Sequence, residues 1–233
     1  MSDAAAAAGP VAPASFGRGS ESDPNHLGHG RTAFGSKSRG HGVGGPASKR
    51  VIVGYGFWIF ILGDIVMFAA FFAAYAVLQG ATADGPAAPD LFDLRNVALE
   101  TGLLLVSSFL CGMAGLAMAA RRMVWFQLAM AATFAFGAGF LVLEAREFID
   151  LVARDAGPTR SAFLSSFFTL VGCHGLHVLA GLLWLLTMMA QVLAKGFRGD
   201  IMRRVMCWAL FWHALDIVWV ALFSIVYLVG VVQ

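Results

Sequence analysis

The sequence predicts an all-α integral membrane protein, a bundle of five transmembrane helices, and two observations carry that prediction. Of its 233 residues 59% are hydrophobic and only 13% are charged, with a mean hydropathy of +0.75, which is too little charge to cover a water-soluble globule. Five apolar stretches, at about 52–79, 96–120, 124–149, 161–194 and 202–231, are each long enough to cross a hydrocarbon core of ~30 Å, for which roughly 20 helical residues suffice. Runs such as IFILGDIVMFAAFFAAYAVL are apolar around the whole helix. A β-barrel would instead alternate apolar and polar residues.

Taken in order, the chain opens on residues 1–50, which hold ten Gly, four Pro and seven Ser among scattered charges. Such a segment buries too little apolar area to offset its chain entropy, so it reads as a disordered tail ahead of a membrane domain at 51–233. His26, His29 and His41 lie in it without the fixed spacing of a metal site. No apolar run precedes a cleavage-like sequence, so the first span reads as an uncleaved signal. That span carries Asp64 twelve residues in, with Tyr55 and Trp58 near its start as interfacial anchors.

The second span has Glu100 four residues from its start, and the third has Glu144, Arg146 and Glu147 in its final turns. These four are placed to reach the membrane interface, where charge costs little. The fourth span contains CHGLHV and the fifth FWHALDIVW, and with a rise of ~1.5 Å per residue His177, His213 and Asp216 fall near the midplane together with Asp64. Cys111, Cys173 and Cys207 form no paired motif and read as packing residues. Ala70 with Ala74, Gly115 with Ala119, and Gly137 with Gly139 mark expected close helix contacts.

Basic residues set the predicted orientation. Twelve Lys and Arg fall in the segment before span 1 and in the 2–3 and 4–5 connections, against Arg95, Arg154 and Arg160 on the other side. That bias puts the N-terminus in the cytoplasm and the C-terminus in the periplasm. No internal repeat of the kind found in many transporters is visible, so ion-coupled transport through Asp64 and Asp216 lacks its usual architecture.

Ionisable side chains kept at the midplane demand a use. His174 and His177 share a helix face, as do His213 and Asp216. One reading clamps a b-type haem between His177 and His213, as in a membrane anchor of a respiratory dehydrogenase. The other has each imidazole hydrogen-bonded to Asp64, Asp216 or a neighbouring backbone. The residues alone leave both open.

From Tyr55 onward the segments GFWIFILGDIVMFAAFFAAYAVL, LETGLLLVSSF, FGAGFLVLEAREF, GPTRSAFLSSFFTLVGCHGLHVLAGLLW and FWHALDIVWVALFSIVYLVG appear in order. Together they resemble subunit III of the haem-copper oxidases, most nearly that of the bo-type ubiquinol oxidases. The resemblance implies a cytochrome c oxidase subunit III-like bundle in a bacterial plasma membrane, packed against a catalytic subunit I that holds the haems and copper, with subunits II and IV as further partners. This chain would then have no catalytic, cofactor-binding or metal-binding residue of its own, and no nucleic-acid partner.

The resemblance makes His174, His177, His213 and Asp216 structural, and Asp64 and Glu100 non-catalytic membrane carboxylates. It implies a cleft holding phospholipid, with Glu100, Trp58, His174 and Arg146 as possible lipid neighbours. The implied activity belongs to the complex: ubiquinol oxidation, reduction of oxygen to water and proton pumping, with this chain supporting assembly and stability. A five-span subunit III of a bacterial cytochrome c oxidase is the alternative. The fifty-residue leader is longer than the family pattern leads one to expect.

Overall fold

The computed structural model describes residues 49–83 and 93–232, and every regular element among them is helical. Helix α1 spans Lys49–Leu78, α2 Leu94–Ala119, α3 Met123–Ala153, α4 Ala162–Lys195 and α5 Gly199–Leu222. α5 runs on into a π-helical segment, Phe223–Leu228, and then a last turn, α6, Val229–Val232. Among the described residues five helices are long and apolar enough to cross a membrane. The expected tail, with His26, His29 and His41, lies outside the described residues except for its last two positions, Lys49 and Arg50, which open α1.

The apolar stretches of the sequence locate these helices to within a turn. The largest difference is at the end of α3, which continues to Ala153. It does so because Glu144, Phe148 and Leu151 prolong one inward stripe at helical spacing. Phe148 packs on Phe167 and Phe168 of α4, and Leu151 is buried.

Local chemistry fixes the helix ends. Asp93 precedes α2 in an extended conformation and accepts the N–H of Arg95 at 3.0 Å, while Ser161 accepts that of Leu164 at 3.1 Å ahead of α4. Each satisfies a donor that the first turn would otherwise leave orphaned. α4 stops at Gly196, whose φ of 69° is open to glycine and strained for other residues. Between α2 and α3 the chain reverses through Arg121 at φ 54°, a left-handed backbone on a residue with a side chain.

Helices α2 and α3 form a tightly packed hairpin, α3 packs on α4, α4 on α5, and α5 returns to α2, closing a four-helix ring. α1 stands outside that ring and packs on α4 and α5. Lipid tails give helices little hydrophobic reason to associate, so fit decides. The tightest fit centres on Trp212 of α5. A Cβ on Gly137 of α3 would come within 2.9 Å of its indole, and one on Gly181 of α4 within 3.0 Å. The three buried tryptophans of α5 are also tied down: Trp208 donates to the Gly181 carbonyl at 2.9 Å, Trp212 to Ser107 Oγ at 3.2 Å and Trp219 to Thr101 Oγ1 at 3.0 Å.

The expected close contacts are therefore met in part. Gly137 is one, but Ala70 and Ala74 are exposed on α1, and open space surrounds the Cβ direction of Gly115. Ala70 and Ala74 face away from the bundle, whereas half-buried Gly115 borders a cavity shared with Met202 and Met206 of α5. Gly181 and Gly175, which the sequence pattern did not single out, take the close approaches instead.

Candidate functional site

The polar groups at mid-depth are held by helix packing, each in its own way. His213 of α5 shares a 2.7 Å hydrogen bond between Nδ1 and Ser108 Oγ of α2. His177 donates from Nδ1 to the carbonyl of Cys173, one turn earlier in α4, at 2.7 Å. The rings of Phe68 and Phe211 lie beside it, with centroids 5.3 and 6.4 Å away. His174 is fully buried within an aromatic cage of Phe68, Phe140 and Trp219, the last only 5.2 Å between centroids. Among the described residues, neither of its ring nitrogens meets a hydrogen-bond partner.

The expectation that each imidazole bonds to Asp64, Asp216 or a neighbouring backbone is met by His177 through the Cys173 carbonyl, while His213 takes the Ser108 hydroxyl instead. Asp216 leaves Oδ1 unbonded, and Asp64 sits half-buried in a shallow recess between α1 and α5 with Phe68, Phe211 and Leu215. A histidine facing another helix takes whatever hydroxyl or carbonyl that helix offers. Here these are Ser108 and the Cys173 backbone.

A second polar region lies where α2 begins and α3 ends, around a cavity of about 310 Å³. Its mouth carries exposed Asp93, Asn96, Arg146, Asp150 and Arg154, and its floor holds Glu100 and Glu147. Glu100 is only 1% exposed and leaves Oε2 without a partner. Just behind it, Glu144 is 3% exposed with both carboxylate oxygens unpartnered. The side chain of Glu144 reaches α4, where a Cβ on Gly175 would lie 2.8 Å from both oxygens. Tyr227, from the π-helical segment, donates its hydroxyl to Glu147 Oε2 at 3.4 Å.

This region overturns the expectation that Glu100 and Glu144 reach the interface. Both are enclosed because α2 and α3 pack face to face at this end and the Gly175 backbone lets α4 close over them. The four residues expected near lipid also part company. Glu100 and Arg146 line one cavity, Trp58 is 47% exposed on the free side of α1, and His174 is sealed inside. At the opposite end of the same helix pair an apolar groove of about 570 Å³ runs between α2 and α3, lined by Phe109, Met113, Leu116, Trp125 and Leu128, with Arg122 among its lining residues.

Sequence reasoning missed Thr101, Ser107 and Ser108, which receive the tryptophan and histidine bonds. The available signal was these hydroxyls standing among the apolar residues of α2. Among the described residues, no three or more His, Cys, Asp or Glu come together in a way suited to a metal ion.

The class so defined is a polytopic helical membrane protein whose inward hydroxyls, tryptophans and two of its histidines serve helix contacts. A family described as Cytochrome c oxidase subunit III matches residues 41–231, and the chain belongs to that family. It is 49% identical over 180 residues to cytochrome bo(3) ubiquinol oxidase subunit 3 of Pseudomonas aeruginosa, covering 76% of this chain and 84% of that one. The corresponding protein of Pseudomonas putida is 48% identical over 176 residues, 76% and 85% of the two chains. Cytochrome c oxidase subunit 3 of Bacillus sp. (strain PS3) is 42% identical over 177 residues, 76% and 86% of the two.

Proposed function

We infer that this chain is the third subunit of a cytochrome bo-type ubiquinol oxidase, a bacterial plasma-membrane complex that oxidises ubiquinol, reduces oxygen to water and pumps protons. The observation that carries this reading is the 49% and 48% identity to two proteins named as that subunit, over three quarters of the chain. The haems and copper belong to subunit I, and this chain contributes no catalytic group. The similarity to a cytochrome c oxidase subunit 3 supports the second reading, in which the donor is a cytochrome. The higher identity to the two Pseudomonas proteins favours quinol.

The finer parts of the reading rest on the residues. Subunits I, II and IV are the partners, with the N-terminus in the cytoplasm because basic residues crowd the N-terminal ends of α1, α3 and α5. A phospholipid is proposed in the apolar groove between α2 and α3, its acyl chain against Phe109 and Leu128 and its phosphate at Arg122. Trp58 and Arg146 suit the headgroup level elsewhere on the surface.

Gentle detergent extraction through a tag on this chain tests the whole reading. Co-purification of a larger polypeptide with haem absorption, together with oxygen consumption driven by ubiquinol, is the expected result. Oxidation of cytochrome c but not quinol would move the assignment to the second reading. A lone polypeptide with its own haem spectrum would overturn both.

A further inference from the structure

At the α2–α3 end, among the described residues, Glu144 and Glu100 keep buried carboxylate oxygens without a hydrogen-bond partner, while their neighbour Glu147 accepts the Tyr227 hydroxyl. Glu144 leaves both oxygens unbonded at 3% exposure, and Glu100 leaves Oε2 unbonded at 1% while lining the cavity. Among the described residues the sole ion pair is Arg198 with Asp200, far along the chain, so neither Arg146 nor Arg154 neutralises them at contact distance. Buried carboxyl oxygens without partners are rare in folded proteins and point to bound water or a held proton. The cavity has room for several waters at ~30 Å³ each.

We propose that Glu100, Glu144 and Glu147 form a water-bridged carboxyl cluster, filled through the cavity between α2 and α3, that binds and exchanges protons with that face of the membrane. The ligand is hydronium and its water chain. A proton arriving as hydronium passes to a carboxylate oxygen, leaving a water and a neutral carboxyl, and returns by the same step reversed.

Glu100 and Glu147 line one cavity together with Arg146 and Arg154, neither of which is in ion-pair contact with them. The groups facing them are Asp93 from α2, Arg146, Asp150 and Arg154 from the end of α3, and the Tyr227 hydroxyl from the π-helical segment. From α4 the backbone of Gly175 closes on Glu144. Glu144 therefore faces carboxyls and apolar wall, with water as its remaining source of hydrogen bonds.

Infrared difference spectroscopy on the purified oxidase complex tests this. The native complex minus an E144Q complex is expected to show a protonated-carboxyl C=O band that moves to lower wavenumber in D2O. E100Q should shift or remove the same band, and Asn96→Trp, which plugs the mouth, should slow its exchange. Absence of the band from both differences, or a band indifferent to D2O, overturns the proposal. Should the glutamine variants fail to assemble, cryo-EM of the native complex decides. Density for water within hydrogen-bond distance of Glu144 supports it, and a dry cavity in a map that resolves waters elsewhere sinks it.

Discussion

Within single residues, the interior is governed by what each polar atom meets on the next helix. Ser108 is the only hydrogen-bonding partner of His213 among the described residues, so Ser108→Ala orphans a partly buried ring nitrogen. The expected cost is about 1–3 kcal/mol, read as a lower melting temperature of the purified complex. Gly137 and Gly181 together cradle Trp212, and Gly137→Ala should cost about 1–3 kcal/mol by overpacking. Trp212→Phe in the same chain should return part of that loss, a coupling that a double-mutant cycle measures. Neither relation was legible in the sequence. A histidine announces that it needs a partner, and a glycine that something comes close, but the partner's identity depends on how helices a hundred residues apart are turned.

For the elements, the sequence was far more informative. Spans emerge from hydropathy because that signal is written within a run of consecutive residues, whereas the caps Asp93 and Ser161 became evident only in the structure. Ser161→Ala should weaken the start of α4 by about 1 kcal/mol, seen as faster amide exchange at Leu164. Tyr75→Phe is expected to change stability little, since its hydroxyl reaches the Val226 carbonyl only at 3.5 Å. What hydropathy cannot give is which side of a helix faces inward when every side is apolar. Depth alone therefore put Glu100 and Glu144 near the interface. The facing of α2, α3 and α4 buries them.

At the scale of the whole molecule, the family assignment makes this chain a companion to redox chemistry performed elsewhere. Expressed alone and purified, it should give a colourless preparation, and a Soret band in that sample would contradict the assignment. The ring of α2 to α5 with α1 laid against its α4 and α5 side also bears on how the polypeptide is built. α1, made before α4 and α5, has its resting place formed by those two later helices. Until α4 and α5 are in the bilayer, α1 must wait in lipid or in the hands of the insertion machinery. A ribosome-stalled chain ending after α3 should hold its α2–α3 hairpin while α1 stays free to crosslink to the translocon, and that crosslink should vanish once α5 is released.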